Sequence, residues 1–343
     1  MRSRAIIFAT VAAVCLVVGA GWVLVASQRA GSSTSSARVS VAADRDAWID
    51  ATDASPRARR APDATTGLLV RAVDPRDSRL NGRVARVSLE GDATAGQIDG
   101  LACQRVHMAS GQGICLALAP SGVDYVARFF DRRFKARGEL ALEGLPSRAR
   151  VSPSGRFASM TTFVTGHSYA RAGEFSTSTT IVDVRRRKPL ANLEEFEVFR
   201  DGERIDAPDF NFWGVTFAYD DDRFYATLAT GGNRYLVEGS LRRRQVRVLR
   251  ENVECPSLSP EGTRLAYKKR VGGDPDWRLH VLDLRTMRDT PLAERRSIDD
   301  QAEWLDERTV LYGDDHDVWA VRADGKGRPR RLLRRAASPA RLE

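Results

Sequence analysis

The stretch "CPSLSPEGTRLAYKK", residues 255–269, sets a Ser-Pro-Glu-Gly tetrapeptide ahead of a strand-like run, "RLAYKK". Pro260 pre-sets φ for the second position of a β-turn, Gly262 accepts a positive φ, and the Ser259 hydroxyl can bond the turn's own backbone. The same devices recur in "SPSG" at 152–155, while "YDDD" at 219–222 and "WLDER" at 304–308 fill the same place with other turn-formers. A catalytic serine would not recur in several units and give way to Ala218 in another. The tetrapeptide is therefore read as architecture.

Working outward, the strand that follows the turn has counterparts: "GLLVRAV", "GICLALA", "GRFASMTTF", "RFYATLAT" and "TVLYGD". Their first apolar residues are Leu68, Ile114, Phe157, Phe224, Leu265 and Val310, with successive steps of 46, 43, 67, 41 and 45. A four-stranded propeller blade takes about 40–45 residues. Each unit then offers a third strand ("GRVARVSL", "STTIVDV", "NRYLVEGSL", "WRLHVLDL", "DVWAVRA") and a polar turn into a fourth, outer one. The long step contains "FEVFRDGERID", residues 196–206, whose Asp-Gly between strand-like arms predicts an inserted hairpin between the third and fourth units. No stretch carries a long amphipathic helical pattern. The fold class is all-β, a six-bladed β-propeller over residues 67–343. Its first unit lacks an inner strand, and "AASPARLE" at the C-terminus is expected to supply it and close the ring, with residues 60–66 as the alternative.

The string "SLSPEGTRLAYKK…WRLHVLDL" resembles the TolB-type propeller repeat, in which a Ser-Pro-Asp-Gly turn runs into a strand and then a hydrophobic–x–Asp–Leu strand; Glu261 stands here for the usual Asp. "NFWGVTFAYDDDRFYATLATGG" and "ECPSLSPEGTRLAYKKR" are similar to the TolB-like translocation proteins of high-GC Gram-positive bacteria. The resemblance covers about residues 65–343 and implies a six-bladed propeller in the cell envelope that binds protein. The additional N-terminal α/β domain of TolB proper has no counterpart in the sequence.

Ahead of the repeats, Arg2 and Arg4 precede an uncharged run at residues 5–27. That run reaches the roughly 20 residues a membrane span needs, longer than an ordinary signal-peptide core. It is read as a signal anchor with the N-terminus inside and the propeller outside, or as a signal peptide cleaved after Ser27, which would make the protein secreted. Residues 28–66, rich in Ser, Ala, Asp and Arg, read as a flexible tether. Export makes a disulfide reasonable. Cys103 and Cys115, at facing offsets on the two arms of "LACQRVHMASGQGICLALA", are the expected pair; Cys255 is expected to be a buried thiol, and three buried reduced cysteines are the alternative.

Candidate chemistry is sparse. "TGHSYA", 165–170, approximates a nucleophile elbow around Ser168 but lacks the second glycine and a following helix. "GDDHDVW", 313–319, crowds its acids into one tight turn, and no Cys/His ligand spacing occurs, so no metal or cofactor is assigned. His107 and His280 read as packing or rim residues. The net charge of +9 permits anionic partners without selecting one. Arg185, Arg186, Arg187, Arg242, Arg243 and Arg244 occupy turns between third and fourth strands, on the same face as the Ser-Pro-Glu-Gly turn, where they are either ordinary solvated turn residues or a basic face for an anionic surface. The opposite face is expected to carry the longer loops, 165–177, 270–277, 313–317 and the inserted hairpin, and with them a partner site at His167, Tyr169, Trp213, Asp274, Trp277 and His316. The function expected is a non-enzymatic binding or scaffold propeller of the cell envelope, monomeric, with a protein or polymer partner, no nucleic acid, and membrane contact through the anchor. The alternative is a lactonase- or glycosidase-like enzyme with a channel-bound cation, for which the recognisable inner strands offer only Glu254.

Overall fold

A computed structural model describes residues 49–50, 67–74, 77, 80–89, 95–164, 176–272 and 276–342. The expected anchor, the expected tether apart from Ile49 and Asp50, and Ser168, His167, Tyr169 and Asp274 lie outside them. No helix among the described residues is long and apolar enough to cross a membrane.

The strands group into six sheets, each built on a blade of four strands running from the axis outward. The first comprises Ala336–Leu342, Gly67–Ala72, Arg83–Ser88 and Ala95–Ala102; the second Arg105–Ala109, Gln112–Leu118, Tyr125–Asp131 and Ala136–Leu142; the third Leu145–Val151, Phe157–Val164, Ser176–Asp183 and Lys188–Asn192. The fourth comprises Asn211–Phe217, Arg223–Thr230, Asn233–Ser240 and Gln245–Glu251; the fifth Glu254–Leu258, Arg264–Gly272, Asp276–Asp283 and Asp289–Pro291; the sixth Glu303–Asp306, Thr309–Asp314, Asp317–Arg322 and Arg330–Arg334. All six residues from which the period was read fall on second strands. Each neighbouring pair of blades encloses one apolar cluster, such as Ile114, Leu116, Phe129, Ala158 and Val182 between the second and third, and Leu236, Leu265, Tyr267 and Leu282 between the fourth and fifth. The core is thus a ring of inter-blade layers. At roughly 25 cal/mol per Å² of apolar surface, burial between blades is the main force closing the disc.

The C-terminal strand closes the ring as expected: Leu342 pairs with Gly67 and Ala336 with Ala72, antiparallel. The inserted hairpin forms from Glu197–Arg200 and Glu203–Ile205. It does not stand on the loop-rich face. Val198 pairs parallel with Val246, so the hairpin extends the outer edge of the fourth blade. A second addition, Ile49–Asp50, pairs parallel with the outer strand of the sixth.

The Ser-Pro-Glu-Gly turn is closed by Gly262 N–H donating to Ser259 O at 2.8 Å, with Gly262 at φ 71°, and the buried Ser259 hydroxyl accepts from Arg264 N–H. Ser152 and Gly155 repeat the arrangement. In the fourth blade Asp220 Oδ1 takes over the serine's part by accepting from Asp222 and Arg223 N–H. The turns between third and fourth strands are capped in the same way by the aspartate ending the third strand: Asp131, Asp183 and Asp283 each accept from two or more backbone N–H groups or a neighbouring side chain of the turn. The Asp of the repeat is a turn cap.

Cys103 and Cys115 are disulfide-bonded, with Cα atoms 5.3 Å apart. Cys103 lies just outside a strand, in the junction between the first and second blades, so the bond ties that junction to the second blade's second strand. Cys255 is free and buried.

Candidate functional site

Antiparallel order sends the first-to-second and third-to-fourth turns of every blade to one face, and the remaining connections to the other. Side chains alternate along the inner strands, so every second residue points toward the axis. Two polar tiers result, one near each face.

Near the turn face, Arg150, Glu303 and His107 meet. Arg150 donates through Nη1 to Glu303 Oε2, and through Nη2 to Ala302 O at 2.9 Å and Ser257 Oγ at 3.4 Å. His107 Nδ1 accepts from Val151 N–H at 3.1 Å, which leaves the neutral ring's proton on Nε2, 3.7 Å from Glu303 Oε2. Arg341 N–H reaches Glu303 Oε1 at 3.3 Å. Burial pushes the Glu303 carboxyl up, but the Arg150 guanidinium and His107 overcome this and hold it at about 2. Residues of all six blades line the cavity here, including His107, Arg150, Thr216, Leu258, Glu303 and Arg341. Its free volume is only about 80 Å³, against several hundred for a typical small-molecule site. Glu303 is ionised and engaged at both oxygens, which suits a brace across the axis rather than an acid–base catalyst.

Near the loop face the balance differs. Arg105 Nε donates to Ser147 O at 2.5 Å, and Arg148 Nη1 donates to the same oxygen at 3.0 Å, so two guanidinium groups sit side by side. Arg105 Nη1 also reaches Ser338 Oγ. Burial, and then the Arg148 charge, lower Arg105 to about 10. Arg71, half-buried on the first blade, adds a third guanidinium that repels Arg105. Lys268 is buried and donates to Asp299, and its Nζ lies 4.2 Å from the centre of the Trp277 ring. Asp299 also lies 3.7 Å from Arg148 Nη2, and Asp300 accepts from Gly313 N–H at 2.9 Å. Cys255 packs beside Arg148. Gly214, at φ 63°, makes this possible: a Cβ there would stand 2.6 Å from the Cys255 Cα.

Of the expected partner residues, the three that are described are not gathered at one place. Trp213 is buried on the fourth blade's inner strand; Trp277 is half-buried against Lys268, its Nε1 donating to Glu254 at 3.0 Å; His316 is exposed in a two-residue turn with Asp315, both at positive φ. That turn is short because Asp314 still pairs with Asp317, and Arg296 and Arg331 hold these two acids. Among the described residues no group of three or more His, Cys, Asp or Glu is placed to hold a metal ion. His280 packs on the fifth blade with Nδ1 2.7 Å from Asp289. The long connection 292–302, which brings Asp299 and Asp300 to the axis, is a part of the loop face that the sequence reading passed over.

The six turn arginines are exposed on the turn face. Three have acidic partners: Arg186 pairs with Asp183, Arg242 with Asp222 and Arg244 with Glu195. Exposed large apolar side chains collect on the other face. Of seven among the described residues, five (Leu118, Val123, Leu145, Phe163 and Val271) lie at its rim, with Val123 79% exposed.

No family model matches the sequence, and no curated protein matches it. Solved structures do. TolB from Acinetobacter baumannii is similar with a TM-score of 0.57 at 13% identity, over 80% of this chain and 66% of that one. A chain of a nidogen/laminin complex is similar with a TM-score of 0.55 at 12% identity, over 81% of this chain and 99% of that one. This chain spans about two-thirds of the TolB structure's length. At such identities the likeness concerns the fold: the protein is a six-bladed β-propeller of TolB-like architecture.

Proposed function

We propose that this protein is a non-enzymatic binding propeller of the cell envelope, of the kind found among TolB-like translocation proteins of high-GC Gram-positive bacteria. It presents its loop face to a protein or polymer partner. The observation that carries the reading is the gathering of Leu118, Val123, Leu145, Phe163 and Val271 on one rim; an apolar concentration on one face marks an interaction surface. The disulfide supports an extracytoplasmic address, since such bonds persist in oxidising compartments. The run at residues 5–27 would hold the disc at the membrane, or be cleaved to release it. Arg185, Arg187 and Arg243, which have no acidic partner among the described residues, are the turn arginines best placed to contact an anionic surface. The experiment is cross-linking and pull-down from envelope extracts with the wild type and with Val123→Asp combined with Phe163→Asp. Loss of a specific partner in the variant, with thermal stability kept, is expected. Unchanged capture by the folded variant would remove the loop face from the reading.

A further inference from the structure

We infer that the loop-face tier of the axis is an oxyanion site, suited to take a phosphate or carboxylate group between Arg71, Arg105 and Arg148. Among the described residues four cations, Arg71, Arg105, Arg148 and Lys268, face two carboxylates, Asp299 and Asp300, and the nearby Glu254 is paired with Arg270. Asp299 is shared between Lys268 and Arg148, and Asp300 accepts from a backbone N–H. The Nε atoms of Arg71 and Arg148 are buried without a hydrogen-bond partner. Buried charge and unsatisfied donors are both costly, and an oxyanion offsets both by accepting from guanidinium forks in pairs. Arg105 and Arg148 are held in place by their shared bond to Ser147 O, and three different blades supply the three guanidinium groups. The site is therefore preorganised by the ring itself. Against the cost of burial, Cys255, Asp300 and Asp299 raise Arg148, whereas burial and then the Arg148 charge depress Arg105, so the shortfall of counter-charge falls on Arg105. The turn-face tier has a buried glutamate in the corresponding role, already bound to Arg150.

This site lies on the face assigned above to a partner but does not depend on that assignment. It is tested on the full-length chain by isothermal titration with inorganic phosphate and, separately, glucuronate, at constant pH and ionic strength set with chloride. The expected result is saturable binding of at least one probe, weakened ten-fold or more by Arg71→Gln and by Arg148→Gln and unchanged by Arg243→Gln on the opposite face. The better-bound probe tells a phosphoryl group from a carboxylate. Arg71→Gln keeps the test decisive if Arg148→Gln fails to fold, because Arg71 Nε has no protein partner to lose. No saturable binding of either probe, or an affinity unaltered in Arg71→Gln, overturns the inference. Loss of partner capture with probe binding intact would strike the docking proposal alone.

Discussion

The two ends of the channel use the same kinds of side chain to opposite effect. At the turn end, one buried carboxylate is surrounded by Arg150, His107 and a backbone N–H, and every partner comes from within the protein. At the loop end, among the described residues, Arg71, Arg105 and Arg148 outnumber the acids that face them, Asp299 and Asp300. The first arrangement spends its charge on holding blades together, and the second keeps charge in reserve. Polar residues at a propeller axis therefore divide by whether their partners are internal, which a residue inventory alone does not reveal.

The contrast breaks most visibly at Glu303. Glu303→Gln leaves the Arg150 guanidinium buried without its counter-charge, and denaturant unfolding should show a loss of about 3–5 kcal/mol. Next comes the bond beside the seam. Replacing Cys103 and Cys115 by Ser together should cost about 2–3 kcal/mol for so short a covalent loop, read as the same fall in stability that reductant causes in the wild type. The third test uses pH. Glu194 accepts from Thr179 and Phe212 N–H and from Thr177 Oγ1 where the third and fourth blades meet. Burial nevertheless pushes it up to about 7, from an ordinary 4.5. A raised carboxyl binds its proton more tightly in the folded state, so its contribution is present at low pH and is lost as pH rises from about 4.5 through 7. Glu303, held at about 2, acts in the opposite sense: its contribution is present above 4.5 and is lost as pH falls toward 2. Stability measured from pH 4.5 to 8 should lose part of its downward slope in Glu194→Gln, and an unchanged slope would remove Glu194 as its source. The smallest effect belongs to Arg71→Gln, expected within about 0.5 kcal/mol of wild type or slightly stabilising, because it removes a poorly satisfied charge. A loss beyond 2 kcal/mol would make Arg71 a structural residue and weaken the proposed contrast between the two ends.

Much of the fold was legible because its signal is repetition. Turn devices at Ser152–Gly155 and Ser259–Gly262 and six strands at a near-constant step fixed the blade count, and the Asp-Gly at 201–202 marked the hairpin. Where that hairpin would dock was not legible, since pairing between Val198 and Val246 depends on geometry across two blades. The channel was the harder part. "SRARVS" displays Arg148 and Arg150 two residues apart, and "RVH" does the same with Arg105 and His107, so the alternation that aims them at the axis was visible. Read for Asp, Glu or His, the recognisable inner strands offer only Glu254, and their arginines are passed over in such a reading. It also misses Glu303, whose inner strand is short and flanked by the irregular 292–302 connection. Trp213 and His316 were chosen as loop-face candidates, yet one packs inside and the other projects from a minimal turn; nothing local distinguishes a buried tryptophan from a waiting one.

The seam of the first blade joins positions more than 260 residues apart in the chain, whereas the other blades draw their four strands from consecutive sequence. Contacts that span so much chain form late, because loop closure must come first. Five blades can therefore assemble in order as the polypeptide emerges, each templating the next, while the earliest strands wait unpaired on one side. The disc becomes a disc only in a final clasping step, and the chain would be exposed to proteases and to neighbours until that moment.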